Sequence, residues 1–235
     1  MSATFTYRGT LPSIRAPHLT IVRDGQTAYD ARVTARLCGT QCGPGEFGRA
    51  SSLRIVPLLP GDPQVVLELY SGGANCCFID QVFSYDPGTM TYVKTEHDFA
   101  ASGATLKRLS GQWRFLSSDP GFKYAFTDGA DSGEPIQIWR FAPQRFVDVT
   151  RAYPGLIRAD AAGWLRLFRH NLANGVGLIA AWAADEELLG HDALVQSTLR
   201  RELARGDLRA GSVGSGGATF VRTLNRVLRR LGYRR

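Results

Sequence analysis

The chain reads as a mainly β protein with a C-terminal α-helical segment, α+β overall. Three observations predict this. Apolar and polar residues alternate with a period of two through much of the first 150 residues. One order of strands and turns occurs twice, over 53–99 and 106–152. After Pro154 the apolar spacing changes to the three-and-four rhythm of amphipathic helices. The expected division is a β-rich domain over 1–153 and a helical segment over 154–235, packed on it.

In chain order, 3–9 forms a short strand. Pro12 and Pro17 punctuate a connector, and 19–33 forms a hairpin about Asp24-Gly25, a favoured tight-turn pair. The loop CGTQCGPGEFG, 38–48, is too rich in glycine for regular structure. The stretch VVLELYSGGANCCFID, 65–80, is the organising element. Val65, Leu67 and Leu69 alternate with Val66, Glu68 and Tyr70, then Ser71-Gly72-Gly73 breaks the strand and a second strand leaves after two adjacent cysteines.

The two copies share an aromatic, a proline-containing turn and a second aromatic: Tyr85, Pro87, Tyr92, then Phe141, Pro143, Phe146. A repeat near 50 residues with four short strands per copy has the form of a propeller blade. Two copies and a hairpin are too few to close a ring. An open stack, a sandwich-like body and a ring completed by a partner are the options. Beyond Pro154, helical spacing is expected over 161–172, 176–189, 193–203 and 219–231, with Asp160 and Asp192 as N-caps and GSVGSGG, 211–217, as a flexible linker.

Composition bounds function loosely. With 235 residues, 44% apolar and 21% charged, the chain is globular in character, and no apolar run reaches the length of a membrane span. Residues 1–150 carry 14 basic and 14 acidic side chains, and 151–235 carry 14 arginines and 7 acids, so the net charge of +7 belongs to the last third. The four cysteines, Cys38, Cys42, Cys76 and Cys77, are an even set in a turn-rich β region, which fits an oxidising compartment. Zinc is a poor fit, because adjacent strand side chains diverge. Three pairings are possible, and adjacent Cα atoms sit closer than most disulfides prefer. A mature exported chain is expected, with its leader outside this sequence.

SGGANCC after an apolar strand, the approximate duplication, and PIQIWRF followed by RFVDVT resemble the secreted bacterial FG-GAP/VCBS-type propeller-like proteins. More narrowly they resemble an uncharacterised actinobacterial group with a Gly-Gly-Ala-x-Cys-Cys motif. The resemblance covers about residues 50–165 and implies an exported β-rich protein with no established activity. It treats the Cys-Cys pair as a unit, which implies Cys76–Cys77 with Cys38–Cys42. The acidic calcium loops of that family are degenerate here, since 57–64 retains only Asp62, so no cofactor is expected. Asn75 stands where relatives often have His.

The leading functional expectation is an exported non-catalytic module binding a glycan, polymer or protein. Trp113, Tyr124 and Trp139, placed on blade loops, and the acidic loop Asp128, Asp131 and Glu134 are its candidate ligand contacts. The alternative is a secreted polysaccharide hydrolase or lyase with paired carboxylates drawn from Asp119, Asp128, Asp131 and Glu68. His97, between Glu96 and Asp98, would not be oriented by either neighbour along a strand. Arg222, Arg226 and Arg229 share a helix face, which suits an anionic polymer; nucleic acid is not the expected partner.

Overall fold

In the computed structural model the described residues are 1–45, 52–73, 76–210 and 213–234. Twelve strands precede four α-helices among them: β1 Ser2–Arg8, β2 Arg15–Arg23, β3 Gln26–Arg32, β4 Gly43–Pro44, β5 Leu53–Val56, β6 Gln64–Gly73, β7 Cys76–Asp86, β8 Thr91–Asp98, β9 Thr105–Leu109, β10 Gln112–Ser118, β11 Ile136–Ala142, β12 Arg145–Asp148, then α1 Pro154–His170, α2 Val176–Leu188, α3 Asp192–Arg205 and α4 Gly217–Arg230. The mainly β, α+β class follows directly. Two compact units divide the chain. The first contains 1–117 and 139–148, and the second contains 118–138 and 149–235. Helix α1 begins at Pro154, and the segment 118–138 groups with the helices.

The first unit holds three antiparallel sheets. β1-β2-β3 is one, and its Asp24-Gly25 turn has positive φ at both residues (52° and 79°), the backbone that a two-residue hairpin requires. The two copies read from the sequence are two meanders, β5-β6-β7-β8 and β9-β10-β11-β12, with β4 added beside β6. The middle sheet is covered on both faces. Val65, Leu67, Leu69, Ile79 and Phe83 pack with Leu19 and Ile21 of β2, while Val66 and Val82 pack with Leu106, Phe115 and Phe141 of the second meander. This double burial explains why β6 and β7 carry nearly continuous apolar runs. The unit is an open face-to-face stack.

Strand β2 runs through Pro17, so that proline lies inside a strand and not in a connector. Its carbonyl still accepts from Val33 N–H, at 2.8 Å. Trp113 and Trp139 lie within β10 and β11 and not on loops, for the period-2 alternation turns both toward the interior beside Phe115 and Phe146.

The second unit is built around α2. Its residues from Val176 to Ala184 are all buried, which a helix achieves only when it is apolar all round and central. Trp182 is its largest buried side chain. Helices α1, α3 and α4 contact it. α4 is sharply two-faced, with Phe220, Leu224 and Leu228 inside and arginines outside. Asp160 is not an N-cap. Pro154, at the first helical position, starts α1 six residues earlier, because its fixed φ suits a helix start and its missing N–H costs nothing there. Asp192 is the first residue of α3, one place inside the capping His191. Among the described residues no helix is long and apolar enough to cross a membrane.

Candidate binding site

The candidate site lies at one end of the middle sheet of the first unit. The β6–β7 register places Val66 opposite Val82, Glu68 opposite Asp80, and Tyr70 opposite Phe78 on one face. The valines at one end of this face pack on the second meander. Further along, Glu68 and Asp80 put two carboxyls directly across the ladder, where paired Cβ atoms stand about 4.5–5.5 Å apart. β8 extends the row, with His97 opposite Asp80.

The three groups are in different states. Asp80 is almost wholly buried. Burial first, and then the Glu68 carboxylate, hold its carboxyl well above the usual carboxylate range, and Arg54 draws it partly back. Glu68 is near Arg54, at 3.8 Å. The His97 ring is taken up by aromatics, with centroids 4.4 Å from Phe99, 4.5 Å from Trp139 and 4.9 Å from Phe146. Burial pushes its pKa down, against a raising influence from Asp98. The row therefore offers a buried acid that holds its proton more tightly than usual, a carboxyl beside a guanidinium, and an imidazole that burial disposes against protonation.

A cavity of about 200 Å³ opens beside Glu68, lined also by Gly45, Phe78, Ala101, Ser102, Gly103 and Ala104. Gly45 leaves room for the Glu68 carboxyl, since a Cβ on it would stand 2.5 Å from Glu68 Oε1. Tyr70 and Phe78 pack at 4.9 Å and carry the apolar surface toward the hairpin tip. At the tip Gly72 takes φ +85°, which L side chains avoid. The Tyr70 hydroxyl donates to Gly73 O, and Cys77 N–H donates to Ser71 Oγ at 2.7 Å. Cys76 and Cys77 form a disulfide across a cis peptide, and Cys38 pairs with Cys42. No cysteine is free among the described residues. Asn75 lies outside them.

The other sequence candidates are dispersed, all in the second unit except the two tryptophans. Asp119 caps a short 3-10 turn, accepting from Gly121 N–H and from the Tyr233 hydroxyl, both at 2.8 Å. Asp128 accepts from Ala130 and Asp131 N–H within its own loop, where Asp131 lies half-buried. Glu134 is buried and paired with Lys123 at 3.1 Å. Tyr124 is exposed. Trp113 and Trp139 are interior, with Arg108 over the Trp113 ring at 5.1 Å. Of these candidates only Glu68 lines a cavity and has a carboxyl partner across the ladder. That partner, Asp80, was missed. Counting back from the Gly73–Cys76 pair would set Glu68 opposite Gln81, and the irregularity between Tyr70 and Gly73 moves it to Asp80. Among the described residues no group of three or more His, Cys, Asp or Glu side chains is placed to share a metal ion.

No protein-family model matches the chain, and no solved structure matches it. One curated relative does. The chain is 26% identical over 136 residues to the "Probable thylakoid lumen protein sll0997" of Synechocystis sp., a match covering 54% of this chain and 40% of that protein. The match thus spans less than half of the relative's length.

Proposed function

We propose that the chain is an exported, non-catalytic binding module that recognises one sugar unit of an extracellular glycan or polymer through the Glu68 cavity. The observation that carries this reading is a cavity of about 200 Å³ lined by Glu68 and the Phe78 ring, with Arg54 and Asp80 next to Glu68 on the same sheet face. Carboxylates and guanidinium groups hydrogen-bond hydroxyls, while an aromatic face packs on the apolar side of a sugar ring. The volume is below the roughly 300–1,000 Å³ of pockets that enclose drug-sized ligands, so it suits one residue of a chain. Export is supported by the closure of both cysteine pairs and by the name of the cyanobacterial relative, whose thylakoid lumen lies outside the cytoplasm. The likeness to FG-GAP/VCBS-type proteins stays part of this proposal and rests on the sequence motif and the repeat alone.

A second reading rests on the same pair. Two carboxyls side by side, one of them pushed well above the usual range, resemble the pairs that acid–base cleavage of a glycosidic bond uses. One experiment separates the two. A panel of neutral and acidic oligosaccharides is tested for binding and for release of new reducing ends, with the native chain and Glu68→Gln. Binding without turnover, weakened about tenfold or more in Glu68→Gln, supports the module. Turnover abolished by Asp80→Asn establishes the enzyme instead. Unaltered binding in Glu68→Gln removes the site from both.

A further inference from the structure

The arginines of 151–235 do not share the surface evenly with the acids. Asp185 is fully buried, and Glu187 and Glu202 nearly so. Glu202 is clasped by Arg201 at 2.9 Å and Arg205 at 3.7 Å. Arg234 pairs with Asp192 and stands 3.9 Å from Glu187. Asp160 accepts from Ile136 N–H and the Trp164 indole. Glu186 engages His191 and the Trp182 indole. Six of the seven acids in this region are thus buried or already engaged, which leaves its outer surface more basic than the residue count suggests.

Helix α4 concentrates the result. Its sequence GATFVRTLNRVLRR contains no acid. Arg222, Arg226, Arg229 and Arg230 are exposed, and among the described residues none of them forms an ion pair. Arg222, Arg226 and Arg229 follow one another along the axis by about 6 and about 4.5 Å. A line of cations at that spacing suits a chain of anions better than a single anion. Guanidinium groups also meet carboxylates in bidentate fashion.

We infer that the outer face of α4 docks a linear acidic polysaccharide, through Arg222, Arg226 and Arg229 pairing with successive carboxylates. This rests on the extracellular-polymer reading and names the charge class of that polymer. The alternatives fit less well. An interfacial helix needs a free apolar face to enter lipid, and the apolar face of α4 is internal, with Phe220 and Leu224 at most 1% exposed. Single-stranded nucleic acid is gripped by exposed aromatic platforms, and the one aromatic of α4 is that same Phe220.

The test uses the intact chain with polygalacturonate, neutral dextran, duplex DNA and phosphatidylglycerol vesicles as probes. Polygalacturonate is expected to bind and dextran not to. Raising salt from 50 to 200 mM should weaken binding by roughly tenfold or more. The triple variant R222Q/R226Q/R229Q should lose most of the binding, with an unchanged melting curve because all three side chains are outside. Arg226→Glu alone should weaken it several-fold and serves if the triple variant does not fold. The salt-sensitive part of polygalacturonate binding should persist in Glu68→Gln and disappear in the arginine variants, so failure of the cavity and failure of the helix face are told apart. Retained binding in both arginine variants, indifference to salt, or tighter binding to DNA or vesicles than to polygalacturonate would overturn the inference.

Discussion

Each unit contains a pair of carboxyls held close together, and the two pairs differ in what surrounds them. In the β unit Glu68 and Asp80 share a face with Arg54, and Glu68 borders a cavity. In the helical unit Asp185 of α2 lies beside Asp160 of α1, fully buried. Burial, then the Asp160 charge, pushes the Asp185 carboxyl up to about 10, so it stays protonated at neutral pH. The same chemical pair is thus a candidate site in one place and a buried acid in the other. Access and a counter-cation make the difference.

The largest effect that would break this comparison is on binding. Glu68→Gln is expected to weaken the best glycan of the panel about tenfold or more, while Asp160→Asn leaves it unchanged, both read by calorimetric titration. Gly45→Ala should act like a mild Glu68 variant, because the new methyl displaces the carboxylate and touches no backbone within the contacts it makes. Comparable losses in Asp160→Asn would dissolve the distinction.

Stability sharpens the contrast next. Because the folded pKa of Asp185 is raised, its protonated form favours the folded state fully below the unfolded value near 4, and that contribution is lost as pH rises toward about 10. Replacing it by Asn should therefore stabilise the protein at pH 7 by at most about 4 kcal/mol. The predicted signature is a melting temperature that declines less between pH 5 and 9 than in the native chain. An unchanged pH slope would show that Asp185 is not the group responsible. Removing the Cys38–Cys42 bridge by a double Ser variant should cost about 2 kcal/mol, the value for a loop this short, measured by urea unfolding.

The smallest expected effect is at His97. Its folded pKa is lowered by burial, so its contribution is present above about 6.5 and is lost as pH falls through the lower folded value. His97→Phe should keep the ring contacts and flatten the melting temperature between pH 4 and 6.5.

What the sequence revealed follows the reach of each signal. Period-2 alternation and the Asp24-Gly25 and Gly72-Gly73 turns are local, and they located the sheets and the tethered corner correctly. The start of α1 was misplaced because Asp160 resembles a cap, whereas Pro154 carries the stronger start signal. Trp113 and Trp139 were expected on loops, since aromatic residues alone do not say which side of a strand faces inward. Glu68 was legible as an acid breaking an apolar strand. Its pairing with Asp80 was not, because register depends on the irregularity between Tyr70 and Gly73, and a one-residue slip reverses every face. The buried acids of the helical unit were hidden for a similar reason, as a charge count does not distinguish inside from outside.

The most direct test of the account is amide chemical-shift mapping on the isotopically labelled chain, titrated with the sugar that binds best in the panel. The account predicts saturable shifts at Gly45, Phe78 and residues 101–104, absent in Glu68→Gln. Shifts confined to the 124–134 loop, with the Glu68 cavity silent, would contradict it.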